Sequence, residues 1–207
     1  MPISAHQQSR GRGRPFKSQD EREAMKMHIA ETAQRLFQEE GYALVSMRRL
    51  AKEAGCSPMT LYKYYDGKIA ILQTLWAVVF KDLFDQLRAQ LNNEPDAKQR
   101  MRIACNHYVG YWVRHPEHYR MVFMAEGVSQ SEVSLFVNGM EVGTGFDLLL
   151  QIITEGLNKV GDGMLEKTAI DLVMGSLHGI AHNHITISGY PWSDPAAMID
   201  MLIDNLS

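Results

Sequence analysis

Apolar side chains recur along this chain at three- and four-residue spacings, the period of helices buried on one face. Met25, Ile29, Ala33, Leu36 and Phe37 form the first such stripe, and Gly41 stands where that helix should end. A second helix is expected from Ser46 as N-cap, carrying Leu50, Ala51 and Ala54 inward before Gly55. Gly55-Cys56-Ser57 reads as a tight turn. Ser57 is a favoured N-cap and Pro58 a favoured first helical residue, so a short third helix is predicted over Pro58 to Tyr64. Asp66-Gly67 then breaks the chain before a long fourth helix. Its stripe is Leu72, Leu75, Trp76, Val79, Leu83, Leu87 and Leu91, and Asn92-Asn93-Glu94-Pro95 bends the chain after it. Further helices are predicted at 96–114, 116–125, 131–158, 165–187 and 194–206. Gly139, Gly143 and Gly145 weaken the first half of 131–158, at about 1 kcal/mol each relative to alanine. No stretch alternates at period two and no internal repeat is present, so the predicted class is all-α.

At 207 residues the chain holds one or two domains, and 45% apolar with 22% charged residues is enough to bury a real core. Two cysteines, Cys56 and Cys105, cannot build a disulfide framework and point to a reducing compartment. The longest apolar run, Leu75 to Phe80, is six residues, against the ~20 that span a bilayer. The N-terminus lacks the apolar segment of a secretory signal, and the expectation is a soluble, cytoplasmic protein with no membrane partner. The net charge of −3 is unevenly spread. Residues 1–68 carry 12 Lys and Arg against 8 Asp and Glu, a net +4, while the remainder carries 9 against 16, a net −7. Such a basic front suits a polyanion. Residues 1–18 have no apolar period and contain Arg10-Gly11-Arg12-Gly13-Arg14-Pro15-Phe16-Lys17, a flexible basic arm. The domains expected after it are 19–68 and 69–207.

The segment Ser46 to Tyr64 is two short helices joined by a glycine-containing turn, the geometry that lays a helix in a major groove. Ala51 lets the helices cross closely, while Leu50 and Leu61 hold them on a shared core. That leaves Met59, Thr60, Tyr62, Lys63 and Tyr64 outward: hydroxyls and an ammonium for phosphates, a thioether and a hydroxyl for base edges. A plain helical hairpin of a bundle is the alternative, but such hairpins seldom expose two tyrosines, a threonine and a lysine around so short a helix. Residues 46–68, Ser-Met-Arg-Arg-Leu-Ala-Lys-Glu-Ala-Gly-Cys-Ser-Pro-Met-Thr-Leu-Tyr-Lys-Tyr-Tyr-Asp-Gly-Lys, resemble the signature of the tetracycline-repressor (TetR) family of bacterial transcription regulators. Ala33 to Gly41, with Leu36-Phe37 and its closing glycine, is similar too. Thr60-Leu61-Tyr62-x-Tyr64-Tyr65-x-x-Lys68 is the most specific part, and the resemblance covers about residues 24–75.

The resemblance implies a three-helix DNA-binding domain with a helix-turn-helix, joined by the long fourth helix to a helical ligand-binding and dimerisation domain. It implies a repressor released from a near-palindromic operator by a small-molecule effector. Carried over by position, Arg48 reaches a base or phosphate and Ser46 lies near a phosphate. Ser57, Met59, Thr60, Lys63 and Tyr64 face the groove, and Tyr62 and Lys68 grip the DNA backbone. The family often has Phe where this chain has Tyr65, and the extra hydroxyl is expected to reach solvent from the edge of the small core. Arg12-Gly13-Arg14-Pro15 resembles the core of an AT-hook, in which two arginines flanking a glycine suit a narrow A·T minor groove. A tail of sequence-independent attraction is the equal alternative.

Specific operator reading by one such motif normally needs a dimer. In 165–187, Ile170, Val173, Leu177 and Ile180 share one side while Ala169, Leu172, Ser176 and Gly179 share another; Met198, Ile199, Met201, Leu202 and Ile203 repeat the pattern in 194–206. These two helices are read as a four-helix homodimer interface, with an intrachain core as the alternative. Arg114 to Phe123 resembles a segment of one TetR branch. Leu177-His178-Gly179 is similar to the Trp-His-Gly element of that branch, with leucine in place of tryptophan. Tyr108, Trp112, Phe123, Met124, Met174 and His178 are the candidate lining of an effector pocket, or else plain core. His178, His182 and His184 have spacing for a metal, but no carboxylate or thiol lies within the same turns. A pocket or interface role is preferred there, and neither metal nor cofactor is expected. A redox role for Cys56 in the turn is a minor reading. Phosphate-binding glycine loops, His-Glu-x-x-His and Gly-x-Ser-x-Gly do not occur, so the chain is not expected to be an enzyme.

Overall fold

Residues 18–91, 93–129, 136, 140–157 and 163–206 are described in a computed structural model. The basic arm, with Arg12 and Arg14, lies outside them. Ser18 starts the first helix with a reciprocal cap: its hydroxyl accepts from Glu21 N–H at 3.1 Å and Glu21 Oε2 accepts from Ser18 N–H at 2.8 Å. Helix α1 therefore runs Gln19–Glu40, six residues earlier than its first apolar position, and ends at Gly41 with φ +86°. Helix α2 is Met47–Glu53, capped by the Ser46 hydroxyl, and Gly55 at φ +66° makes the left-handed turn that the sequence predicts. Helix α3 is Pro58–Leu61, shorter than the predicted span to Tyr64. After Tyr62 the amides of Lys63 and Tyr64 bond three residues back, to Thr60 and Leu61, and this tighter winding ends the α-helix before Tyr65 bonds back to Leu61.

Helix α4 (Lys68–Gln90) and α5 (Ala97–Arg114) follow, then α6 (Pro116–Phe123), α7 (Met140–Gly156), α8 (Gly163–Thr186) and α9 (Pro195–Leu206). The described residues contain no strand, and no helix among them is long and apolar enough to cross a membrane. Helix α6 stops two residues short of its predicted end. The predicted 131–158 helix is described as α7, with most of 131–139 outside the described residues.

Helices α1, α2 and α3 close over the start of α4 through Ile29, Ala33, Leu36, Leu50, Ala51, Leu61, Ile71 and Leu72, all fully buried. The lower part of α4 packs on α5 and α7, and α5 lies against α4, α7, α8 and α9. This core is continuous from Ile29 to Ile203, with α4 crossing it. Two glycines make the α7 packing possible. A Cβ on Gly145 would stand 2.1 Å from the Phe84 ring, and one on Gly156 would stand 2.5 Å from Met101 Cβ. The glycine that weakens α7 as an isolated helix is thus what lets it seat against α4. Tyr65 also departs from expectation. Its ring is buried and its hydroxyl donates to the Lys26 carbonyl of α1 at 3.1 Å, so it does not reach solvent.

Candidate nucleic-acid interface and effector core

Two adjacent arginines of α2 do different work. Arg49 turns toward α1, with 2.9 Å to Glu40 and 2.6 Å to Glu53, and Arg35 of α1 reaches Glu53 at 2.7 Å and Glu39 at 3.3 Å. The Glu53 carboxyl is held below its usual range by Arg49 and then Arg35. Arg48 is exposed and makes no ion pair among the described residues. Sequence reasoning missed the Arg35–Glu53–Arg49 brace, although Arg49 and Glu53 stand at the i, i+4 spacing that marks such pairs.

The exposed side of α3 and its following turn carries Met59 at 75% exposure, Tyr62 at 53%, and an exposed Lys63. Ser57 accepts from Thr60 N–H at 3.0 Å, and the two hydroxyls lie 2.9 Å apart. The Ser46 hydroxyl likewise accepts from Arg49 N–H at 3.1 Å. Both serines therefore cap helices, and each hydroxyl keeps further capacity for a phosphate oxygen. Tyr64 is half-buried against the small core. Lys68 is placed differently from its expected role on the DNA backbone. Its ammonium donates to the carbonyls of Tyr42 and Ala43 and sits 4.2 Å over the Tyr42 ring, tying α4 to the α1–α2 loop. Burial pushes its pKa down, and the contact is structural.

Four of the six predicted effector residues come together. Tyr108 and Trp112 of α5 stand 6.0 Å apart; Trp112 meets Phe123 at 5.1 Å, and Phe123 meets His178 of α8 at 4.5 Å, all ring to ring. Tyr119 sits at the centre, 4.9 Å from Phe123 and 5.9 Å from Trp112, and its hydroxyl lies 3.2 Å from His182 Nδ1. The sequence signal for Tyr119 was its place one turn before Phe123. His178 Nδ1 is buried without a hydrogen-bond partner among the described residues, and burial followed by the neighbouring His182 pushes its pKa down, so the ring is a neutral polar point in an apolar cluster. Met174 is half-buried one turn before it. Met124 lies elsewhere: it lines a cleft of about 650 Å³ between the α1–α2 loop and α6, with Phe37, Leu44, Arg120 and Met121. That cleft is bordered by a hydrogen bond from Trp76 Nε1 of α4 to the Met121 carbonyl, 3.1 Å.

His178, His182 and His184 do not form a ligand set among the described residues: His184 faces the carbonyls of Ile180 at 2.8 Å and Ser193 at 3.1 Å. Cys105 is buried and its thiol is pushed up to about 12, while Cys56 is half-buried; neither forms a disulfide among the described residues.

On the far side, Val173, Leu177, Ile180, Ile199 and Ile203 point into the subunit. The opposite faces of α8 and α9 form a shallow groove of about 580 Å³ lined by Leu172, Ser176, Gly179, Met198, Met201 and Leu202. Leu172 is 51% exposed and Met201 70%.

Residues 29–75 match the family model for bacterial regulatory proteins of the tetR family. The fatty acid metabolism regulator protein of Bacillus subtilis is 21% identical over 154 residues, 73% of this chain and 78% of that protein. The fold is that of FadR from Bacillus halodurans, with TM-score 0.65 at 22% identity over 93% of this chain and 96% of that one. It is equally close to FadR from Bacillus subtilis, solved in complex with stearoyl-CoA, with TM-score 0.66 at 20% identity over 87% and 96%. The helix-turn-helix segment of this chain thus matches the model of the tetR family of bacterial regulatory proteins, and the helical body behind it shares the fold of the two FadR structures.

Proposed function

We propose that the chain acts in the cytoplasm as a homodimeric repressor. Residues 19–68 read a near-palindromic operator, and residues 69–207 release it on binding an acyl-CoA. The observation that carries the DNA-reading half is the solvent-facing set Arg48, Met59, Tyr62 and Lys63 around two capped helices. Arg48 and Lys63 supply positive charge, Tyr62 a phosphate grip and Met59 an apolar contact to a thymine methyl. Ser46, Ser57, Thr60 and Tyr64 complete the contact, and Arg12 and Arg14 add the arm.

The second copy is proposed to sit on the groove of α8 and α9, whose exposed Leu172 and Met201 flank the open backbone of Gly179. An acyl chain suits the ring cluster of Tyr108, Trp112, Tyr119 and Phe123, and the stearoyl-CoA of the similar Bacillus subtilis structure favours that class. A ligand shifts DNA affinity only by preferring one spacing of the two recognition helices over the other, and α4, bonded to α6 through Trp76, is the lever that changes it.

The test is selection of duplexes from a random pool, followed by anisotropy titrations at fixed salt with stearoyl-CoA, CoA or neither. A selected sequence bound at least a hundredfold tighter than random duplex, and released by stearoyl-CoA but not CoA, supports the reading. Equal binding of all sequences overturns the operator half, and indifference to stearoyl-CoA overturns the effector class.

A further inference from the structure

The junction of α5 and α6 gathers three ligating side chains on a surface that neither the DNA face nor the ring cluster uses. His115 is the C-cap of α5 and the N-cap of α6, and Glu117 and His118 occupy the first turn after it. His115 Nδ1 lies 3.7 Å from Glu117 Oε1, and His118 Nε2 lies 3.9 Å from the same oxygen. All three ligand atoms fall within 4.8 Å of one another. The two imidazoles stack at 5.1 Å with 19° between their planes. Ligand atoms of a tetrahedral zinc bound at 2.0–2.1 Å are ~3.4 Å apart. The two histidine-to-carboxylate distances need a contraction of about 0.3–0.5 Å and the third side at most about 1.4 Å, and the three side chains are 23–44% exposed.

A second observation comes from the shell behind the cluster. Tyr111 is fully buried and its hydroxyl donates to the Val79 carbonyl at 3.1 Å, with the Asp82 carboxylate as the other nearby acceptor. His118 Nδ1 lies 3.4 Å from that hydroxyl oxygen. While the single phenolic proton is directed to the Val79 carbonyl, the oxygen is an acceptor for His118 Nδ1–H. The Nε2 lone pair is then left facing Glu117. An outer hydrogen bond that fixes a histidine's tautomer and ring angle is the usual support behind a metal-bound imidazole.

We infer that His115, Glu117 and His118 form a site for a divalent transition-metal ion of zinc-like chemistry, with the remaining position open to water. Two imidazoles and one carboxylate suit that class, whereas Ca²⁺ and Mg²⁺ require oxygen ligands. An ion here clasps the end of α5 to α6, the helix that receives the Trp76 bond and borders the cleft under the α1–α2 loop.

The test uses the full, tag-free chain after chelator treatment. Co²⁺ is titrated for its visible absorption, and Zn²⁺ in competition with a chromophoric chelator. One ion per chain at micromolar affinity or tighter is expected, undisturbed by millimolar Mg²⁺. His118→Asn and Glu117→Gln should each weaken binding at least tenfold. Tyr111→Phe, which removes no ligand, should weaken it several-fold, and His184→Gln should leave it unchanged. Glu117 is half-exposed and its variant keeps the fold if His118→Asn does not, as circular dichroism will tell. Absence of binding in the wild type, binding that survives both substitutions, or loss in His184→Gln overturns the assignment.

Discussion

Lys63 and Lys68 carry the same charge and stand five residues apart, yet their surroundings assign them different work. Lys63 is exposed beside α3, while the Lys68 ammonium is drawn onto the Tyr42 and Ala43 carbonyls. Lys63→Ala should therefore weaken operator binding and flatten its salt dependence by about 0.9 in the log–log slope, one phosphate contact. Lys68→Met should lower stability by about 1 kcal/mol through the loosened loop and leave the slope unchanged. Anisotropy titrations across several salt concentrations, with thermal melts alongside, separate the two. Tyr65→Phe removes the hydroxyl's bonds to Lys26 O and Thr74, and about 1 kcal/mol, or a fall of some 2–4 °C in Tm, is expected with DNA affinity retained. Residue types and spacing made the Arg48, Met59, Tyr62 and Lys63 face legible in the sequence. Where a lysine's ammonium folds back, or a tyrosine hydroxyl turns inward, depends on carbonyls more than twenty positions away, and no local pattern records that.

Helices were legible wherever an apolar stripe and a cap agreed, as in α2 and α5. They were less so where tertiary packing overrides propensity. The first turns of α1 are polar and visible only through the Ser18–Glu21 box, and α7 carries glycines that helix propensity counts against it. Those glycines have a packing role that can be measured. Gly145→Ala should gain helix propensity yet destabilise the protein by about 1–3 kcal/mol, because its methyl has nowhere to go beside Phe84. Adding Phe84→Leu should recover part of the loss in a denaturant melt. Gly179 is the contrasting case: a methyl placed there would meet nothing within 4 Å in the isolated subunit. Gly179→Leu should leave the subunit folded and shift sedimentation toward monomer, and an unchanged dimer would count against α8 as the interface.

At the scale of the molecule, buried imidazoles link stability to pH. His107 and His178 both have pKa values lowered chiefly by burial, so the unfolded chain binds protons that the folded chain refuses. The stabilisation is complete above the unfolded histidine pKa of about 6.5 and declines as pH falls toward the folded values. Melting temperature should drop between pH 7.5 and 5.5, and His107→Gln, whose amide can still reach the Leu83 carbonyl, should make that drop shallower. The all-helical class and the position of the long α4 could be read from periodicity. The single core that crosses it could not, since stripes say which side of a helix is buried and not against what. That shared core limits modularity. A chimera that grafts this reading head onto another body must cut α4 below Trp76, because Ile71 and Leu72 belong to the head while Val79 onward belongs to the body. A junction placed at the loop boundary near Gly67 would strip both halves of their common wall, and neither would be expected to fold cooperatively alone.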